Sequence, residues 1–140
     1  MKRLLIVITA ALAAFAFMIT GANAATAVST GRSDACNSYA CGSGTFTSTD
    51  AYTLKGAMSV KLTCGKGQNL AAIKIIVEGV DGKQQSGAQH TIGKCGQLTL
   101  FSNLTWHQAS AIRWWRVLVN STNGQGPSGY HETYGNLVYP

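Results

Sequence analysis

The chain predicts an all-β fold: a small antiparallel β-sandwich, or a partly closed barrel, of about seven strands stapled by disulfides. Three observations lead there. Short β-prone runs alternate with turn signals from Thr45 to the C-terminus. Beyond the first two dozen residues, no segment keeps a helical apolar spacing through three capped turns. Four cysteines, Cys36, Cys41, Cys64 and Cys95, make an even set suited to two bridges.

The N-terminus reads as an address rather than as part of the fold. Lys2 and Arg3 precede an uncharged apolar run from Leu4 to Ile19, and Ala22-Asn23-Ala24 supplies a small-x-small cleavage pattern. Residues 1–24 therefore read as a cleaved secretory signal peptide. A membrane anchor is the competing reading, because the run approaches spanning length. Ala25-Thr26-Ala27 offers a second cut. No later segment is apolar enough to span a bilayer as a helix. Residues 25–35 are small, polar and unpatterned, and read as a flexible leader. Residues 36–140 read as a single β-sandwich domain.

Within that domain the strands follow from local chemistry. Thr45 to Leu54 is rich in Thr, Phe and Tyr, and Lys55-Gly56 is read as its end. Met58, Val60, Leu62 and Cys64 alternate with Ser59, Lys61 and Thr63, as in a half-buried strand. Gly65-Lys66-Gly67 turns the chain into the nearly continuous apolar run Ala71 to Val77. Asp81-Gly82 is a hairpin signal, since glycine adopts positive φ without cost and aspartate tolerates it. Gln89 to Ile92 and Gln97 to Phe101 are shorter strands, and Ser110 to Val119 is the strongest. Its apolar residues could also be drawn on a helix, but Ile112, Trp114, Trp115, Val117 and Val119 all favour strands. A glycine-rich loop at 123–129 leads to the last strand, Tyr130 to Tyr139.

An export signal sends the cysteines to an oxidising compartment, where an even count forms disulfides. Of the three pairings, Cys36–Cys41 with Cys64–Cys95 is preferred. The first pinches a tight turn, and the second ties a strand end to a later turn. Loop-closure entropy assigns about 2 kcal/mol to the short link and about 3–4 kcal/mol to the long one. A zinc site needs a second close cysteine pair, and none follows Cys36-x4-Cys41. No metal and no cofactor is implied.

Composition narrows the function classes. The 140 residues hold 11 Lys and Arg against 5 Asp and Glu, a net +6, and 46% are hydrophobic. Removing residues 1–24 takes Lys2 and Arg3 away. That leaves 116 residues at +4, about 40% of them hydrophobic. The length excludes a multidomain enzyme, and the hydrophobicity excludes a disordered chain. The six lysines from Lys55 to Lys94 form no run, so no specific nucleic-acid partner is implied.

Four features are candidates for function. Trp114 and Trp115 lie between Arg113 and Arg116. In a strand they take opposite faces, so one enters the core and the other faces outward. Trp114 is assigned to the core. Trp115, with Arg113, is the candidate contact, because Trp and Arg dominate interface hot spots. Tyr130, His131, Glu132 and Tyr134 beside the glycine-rich loop form the second candidate, with Tyr130, His131 and Tyr134 as its ligand-binding residues. The third is catalysis: Glu132, His107 and Arg113 could serve a ribonuclease as base, acid and phosphate clamp. Their spacing does not single them out, and no nucleophile elbow, zinc helix or phosphate loop is present. The fourth is the basic balance, a mild attraction to anionic surfaces.

The expected function is a secreted, non-catalytic binding or inhibitor module for an extracellular macromolecule or cell-surface polymer. An antimicrobial or toxin-like protein and a small secreted ribonuclease are the alternatives. The expected location is extracellular, or periplasmic in a two-membrane bacterium.

Overall fold

The structure, a computed structural model, describes residues 28–140; the signal-peptide reading of 1–24 lies outside them. Nine strands are present among the described residues: β1 (Ser29–Cys36), β2 (Ala40–Asp50), β3 (Thr53–Leu62), β4 (Leu70–Gly79), β5 (Gln84–Ser86), β6 (His90–Ile92), β7 (Leu98–His107), β8 (Ile112–Thr122) and β9 (Tyr130–Tyr134). They form two antiparallel sheets. The first runs β1-β2-β3-β7, and the second β5-β4-β8-β9, with β6 also paired to β4. The fold is an all-β sandwich stapled by Cys36–Cys41 and Cys64–Cys95, the pairing preferred from sequence.

The core sits between the sheets and follows the period-2 rule. Strand β3 sends Leu54, Met58, Val60 and Leu62 inward, β4 sends Ala71, Ile73, Ile75 and Val77, and β8 sends Trp115, Val117 and Val119. Phe46 of β2 meets Trp115 edge-on, with ring centroids 5.2 Å apart and planes at 72°. Burying a large apolar side chain contributes about 1.5–3 kcal/mol, so these few residues carry most of the stabilisation.

Three sequence expectations are corrected. From Ser29 the expected leader is a strand: β1 pairs with β2 along its length, from Ser29 opposite Ser48 to Cys36 opposite Cys41. Its inward residues are small, Ser33 and Ala35, so no apolar alternation marks it. Ser33 is fully buried; its hydroxyl donates to the Asn136 carbonyl at 2.8 Å and accepts from the Val117 N–H at 3.1 Å. Lys55-Gly56 is not a strand end but lies inside β3. A Cβ on Gly56 would fall 2.0 Å from the Thr45 carbonyl oxygen, so glycine is there for close approach. The last strand stops at Tyr134; beyond it the Gly135 N–H bonds the Val117 carbonyl and Val138 bridges Trp115. Asn136 fastens this tail to β1, accepting from the Asp34 N–H and donating to the Arg32 carbonyl.

The two strands beyond the expected seven are β1 and β5, neither of which carries an apolar alternation, and β7 runs on past the expected Phe101 to His107. Asp81-Gly82 does form its hairpin, with Gly82 at φ 77° and the Gly79 N–H bonded to the Lys83 carbonyl.

Candidate binding face

Strand β8 carries a charge in its middle, Arg116, and a strand in a sandwich turns such a residue to water. Arg116 therefore sets the outer face, together with Trp114 and Leu118, while the bulge at Arg113 turns Ile112 back towards the core. On that face Trp114 and Leu118 pack with Ile76 of β4 into a small buried cluster separate from the core. The Arg116 guanidinium covers it. Its carbon lies 5.4 Å from the Trp114 ring centroid and 4.2 Å from that of Tyr134 on β9. Each such cation–π contact is worth about 0.5–2 kcal/mol.

Strand β9 completes the face. Tyr130, Glu132 and Tyr134 alternate outward, and both phenols donate to the Glu132 carboxylate, at 3.1 and 3.2 Å. Burial raises the Tyr130 pKa above its ordinary value, and the Glu132 hydrogen bond and charge add to the rise. A shallow groove of about 310 Å³ runs beside these residues, bounded by Lys74 and the β5 glutamines. Chemically the face offers two half-exposed phenol rings, held apart by a carboxylate, with a cation stacked behind them. Flat apolar surfaces can stack there, and hydroxyls can bond to the phenol, carboxylate and amide groups.

The sequence-predicted site residues divide. Tyr130 and Tyr134 belong to this face. Trp115 does not: it is 1% exposed in the core, so its role as a contact residue is withdrawn. Trp114, assigned to the core from sequence, is the outer tryptophan. The signal was present in the neighbours, because Trp115 alternates with Val117 and Val119 while Trp114 alternates with Arg116. Arg113 shares the parity of Trp115, but the ladder shifts between Glu78 and Gly79 and releases it outward. It pairs with Glu78 at 3.2 Å, near the far end of the same sheet. His131 faces away from both tyrosines and stacks on Tyr39, with centroids 4.0 Å apart.

The catalytic trio is not assembled. Glu132 is held by tyrosines on the second sheet, Arg113 by Glu78, and the His107 ring bonds Thr53 at 2.9 Å on the first sheet. His90 leans on Phe101 at 4.7 Å. Among the described residues, no imidazole is within hydrogen-bond reach of a carboxylate, and no three metal-ligating side chains converge.

A second concavity opens where the edge of β7 faces β6. It holds about 350 Å³ and is lined by Phe46, Met58, Ile75, Leu104, Trp106 and His90. Sequence reasoning missed it, since its walls come from strands distant in the chain. Comparison with protein-family models, with curated proteins and with solved structures gives no match for this chain.

Proposed function

We propose that this is a secreted, non-catalytic binding module for an extracellular macromolecule or cell-surface polymer, with the outer face of the second sheet as its contact. The observation that carries the reading is the Tyr130–Glu132–Tyr134 arrangement backed by Arg116 and Trp114. Aromatic and arginine side chains held rigid before contact lose little entropy on binding. Two disulfides support an oxidising, extracellular-type setting. No helix among the described residues is long and apolar enough to cross a membrane.

The antimicrobial alternative rested on an exposed tryptophan beside arginines. Both tryptophans of β8 are buried, Trp115 between the sheets and Trp114 beneath Arg116, which leaves that reading without its main feature. The test is retention of purified protein on cell envelopes from its native environment. Tyr130→Ala with Tyr134→Ala should reduce retention about tenfold while the fold persists, as for loss of interface anchors. Retention equal to that of the parent protein would remove this face from the proposal.

A further inference from the structure

The lysines, scattered in sequence, are sorted by the fold. Strand registers place the loops 37–39, 63–69, 93–97 and 123–129 at one end of the sandwich. Those loops contain Lys66 and Lys94 and no carboxylate. Lys61 joins them on the last residues of β3, opposite Cys41 and Leu98. The Cys64–Cys95 disulfide, with Cα atoms 5.0 Å apart, draws the Lys66 and Lys94 loops together. All three lysines are exposed. The opposite end holds Asp50, Glu78 and Asp81.

Every carboxylate of residues 28–140 is engaged: Asp34 by Arg32, Asp50 by the Tyr52 N–H, Glu78 by Arg113 and Gln84, Asp81 by the Lys83 N–H, Glu132 by its tyrosines. None of the six lysines lies in an ion pair with a described residue. Three of the six, Lys61, Lys66 and Lys94, share the disulfide end, whose loops hold no carboxylate, whereas Lys55 and Lys83 lie towards the end that holds Asp50, Glu78 and Asp81. The disulfide end also carries three of the four buried polar atoms that lack a partner among the described residues: Asn37 Nδ2, Gln68 Oε1 and Ser121 Oγ.

We propose that this lysine-bearing end binds a linear polyanionic polysaccharide, a surface distinct from the tyrosine face. Clustered cations raise the local concentration of a polyanion, and their effect reaches about 10 Å at 0.1 M salt. The loops supply Asn, Gln and Ser amides and hydroxyls suited to sugar hydroxyls. A membrane surface fits less well, because the exposed large hydrophobic residues in or beside these loops are few and separate: Leu70, Leu98 on the flank, and Tyr130 after the last loop.

The test compares binding of the folded protein to heparin, dextran, duplex DNA and phosphatidylglycerol vesicles. Heparin should bind and dextran should not, with affinity falling as salt rises. Lys61→Gln, Lys66→Gln and Lys94→Gln together should weaken heparin binding about tenfold or more. Lys55→Gln, Lys74→Gln and Lys83→Gln together remove the same net charge elsewhere and should change it by about twofold at most. Should the first triple fail to fold, Lys66→Gln alone should weaken binding about threefold. Equal loss from both triples, no loss from Lys66→Gln, or tighter binding to DNA or vesicles than to heparin overturns the proposal. Tyr130→Ala with Tyr134→Ala should leave heparin binding intact, so this surface and the tyrosine face stand or fall separately.

Discussion

Trp115 lies edge-on to Phe46 between the sheets, so Trp115→Ala should destabilise the fold by about 3–5 kcal/mol, read as a fall in Tm. Trp114→Ala should cost less, about 1.5–3 kcal/mol, because its ring closes only a small outer cluster. A larger loss from Trp114→Ala than from Trp115→Ala would contradict this assignment of faces. Tyr130 supplies the pH dependence. Its folded pKa is raised, first by burial and then by the hydrogen bond and charge of Glu132. Its contribution to stability is therefore present below the unfolded value of 10.0 and is lost as pH rises through the folded value. Glu132→Gln should bring the pKa part of the way back and narrow that alkaline window. Absorbance titration of tyrosinate measures it, and an unmoved titration would show that Glu132 has no such influence.

Two strands are defined by what their small or exposed residues permit. Strand β2 turns Gly42 and Gly44 inward, where a Cβ would meet Val119 and Val117 at 2.6 Å. The glycines let the sheets close at the disulfide end, and Gly44→Val should overpack it by about 1–3 kcal/mol, measured by denaturant unfolding. Strand β7 is an edge, with Leu98 and Leu100 63% and 66% exposed on its outer side. Its ladder with β3 is interrupted after Phe101, and Asn103 takes φ 57°, which bends the strand and limits pairing with another chain. Leu100→Lys should leave Tm nearly unchanged and lower light scattering at high concentration; a substantial fall in Tm would mean that Leu100 is packed rather than exposed.

At the scale of the molecule, both disulfides fasten the same end, but they close unequal loops. The separation of 31 residues between Cys64 and Cys95 implies a stabilisation of about 3.7 kcal/mol, and the separation of 5 between Cys36 and Cys41 about 2 kcal/mol. Replacing Cys64 and Cys95 with serine should therefore lower Tm more than replacing Cys36 and Cys41. The long link also joins the end of β3 to the β6–β7 loop, so its loss separates Lys66 from Lys94. The opposite ranking of the two double variants would show that local packing outweighs chain entropy here.

The all-β class, most of the strands, the hairpin at Asp81-Gly82 and the disulfide pairing were legible in the sequence, because each rests on short-range chemistry. Alternation, positive φ and loop length act over a few residues. β1 was illegible because its buried positions hold Ser33 and Ala35, small residues that leave no hydrophobic trace. Of the candidate site, Tyr130 and Tyr134 could be named from sequence, but their setting could not. Arg116 and Trp114 reach them only because β8 pairs with β9, placing Leu118 opposite Tyr134. Alternation divides Trp114 from Trp115, and the charge of Arg116 marks the outer face, but that Trp114 is nonetheless buried there depends on Ile76, Leu118 and Arg116 closing over it. Likewise the sequence determined how many lysines there are and their spread from Lys55 to Lys94. Only strand register and a bridge across 31 residues decided that three of them share one end, because charge acts through space and not along the chain.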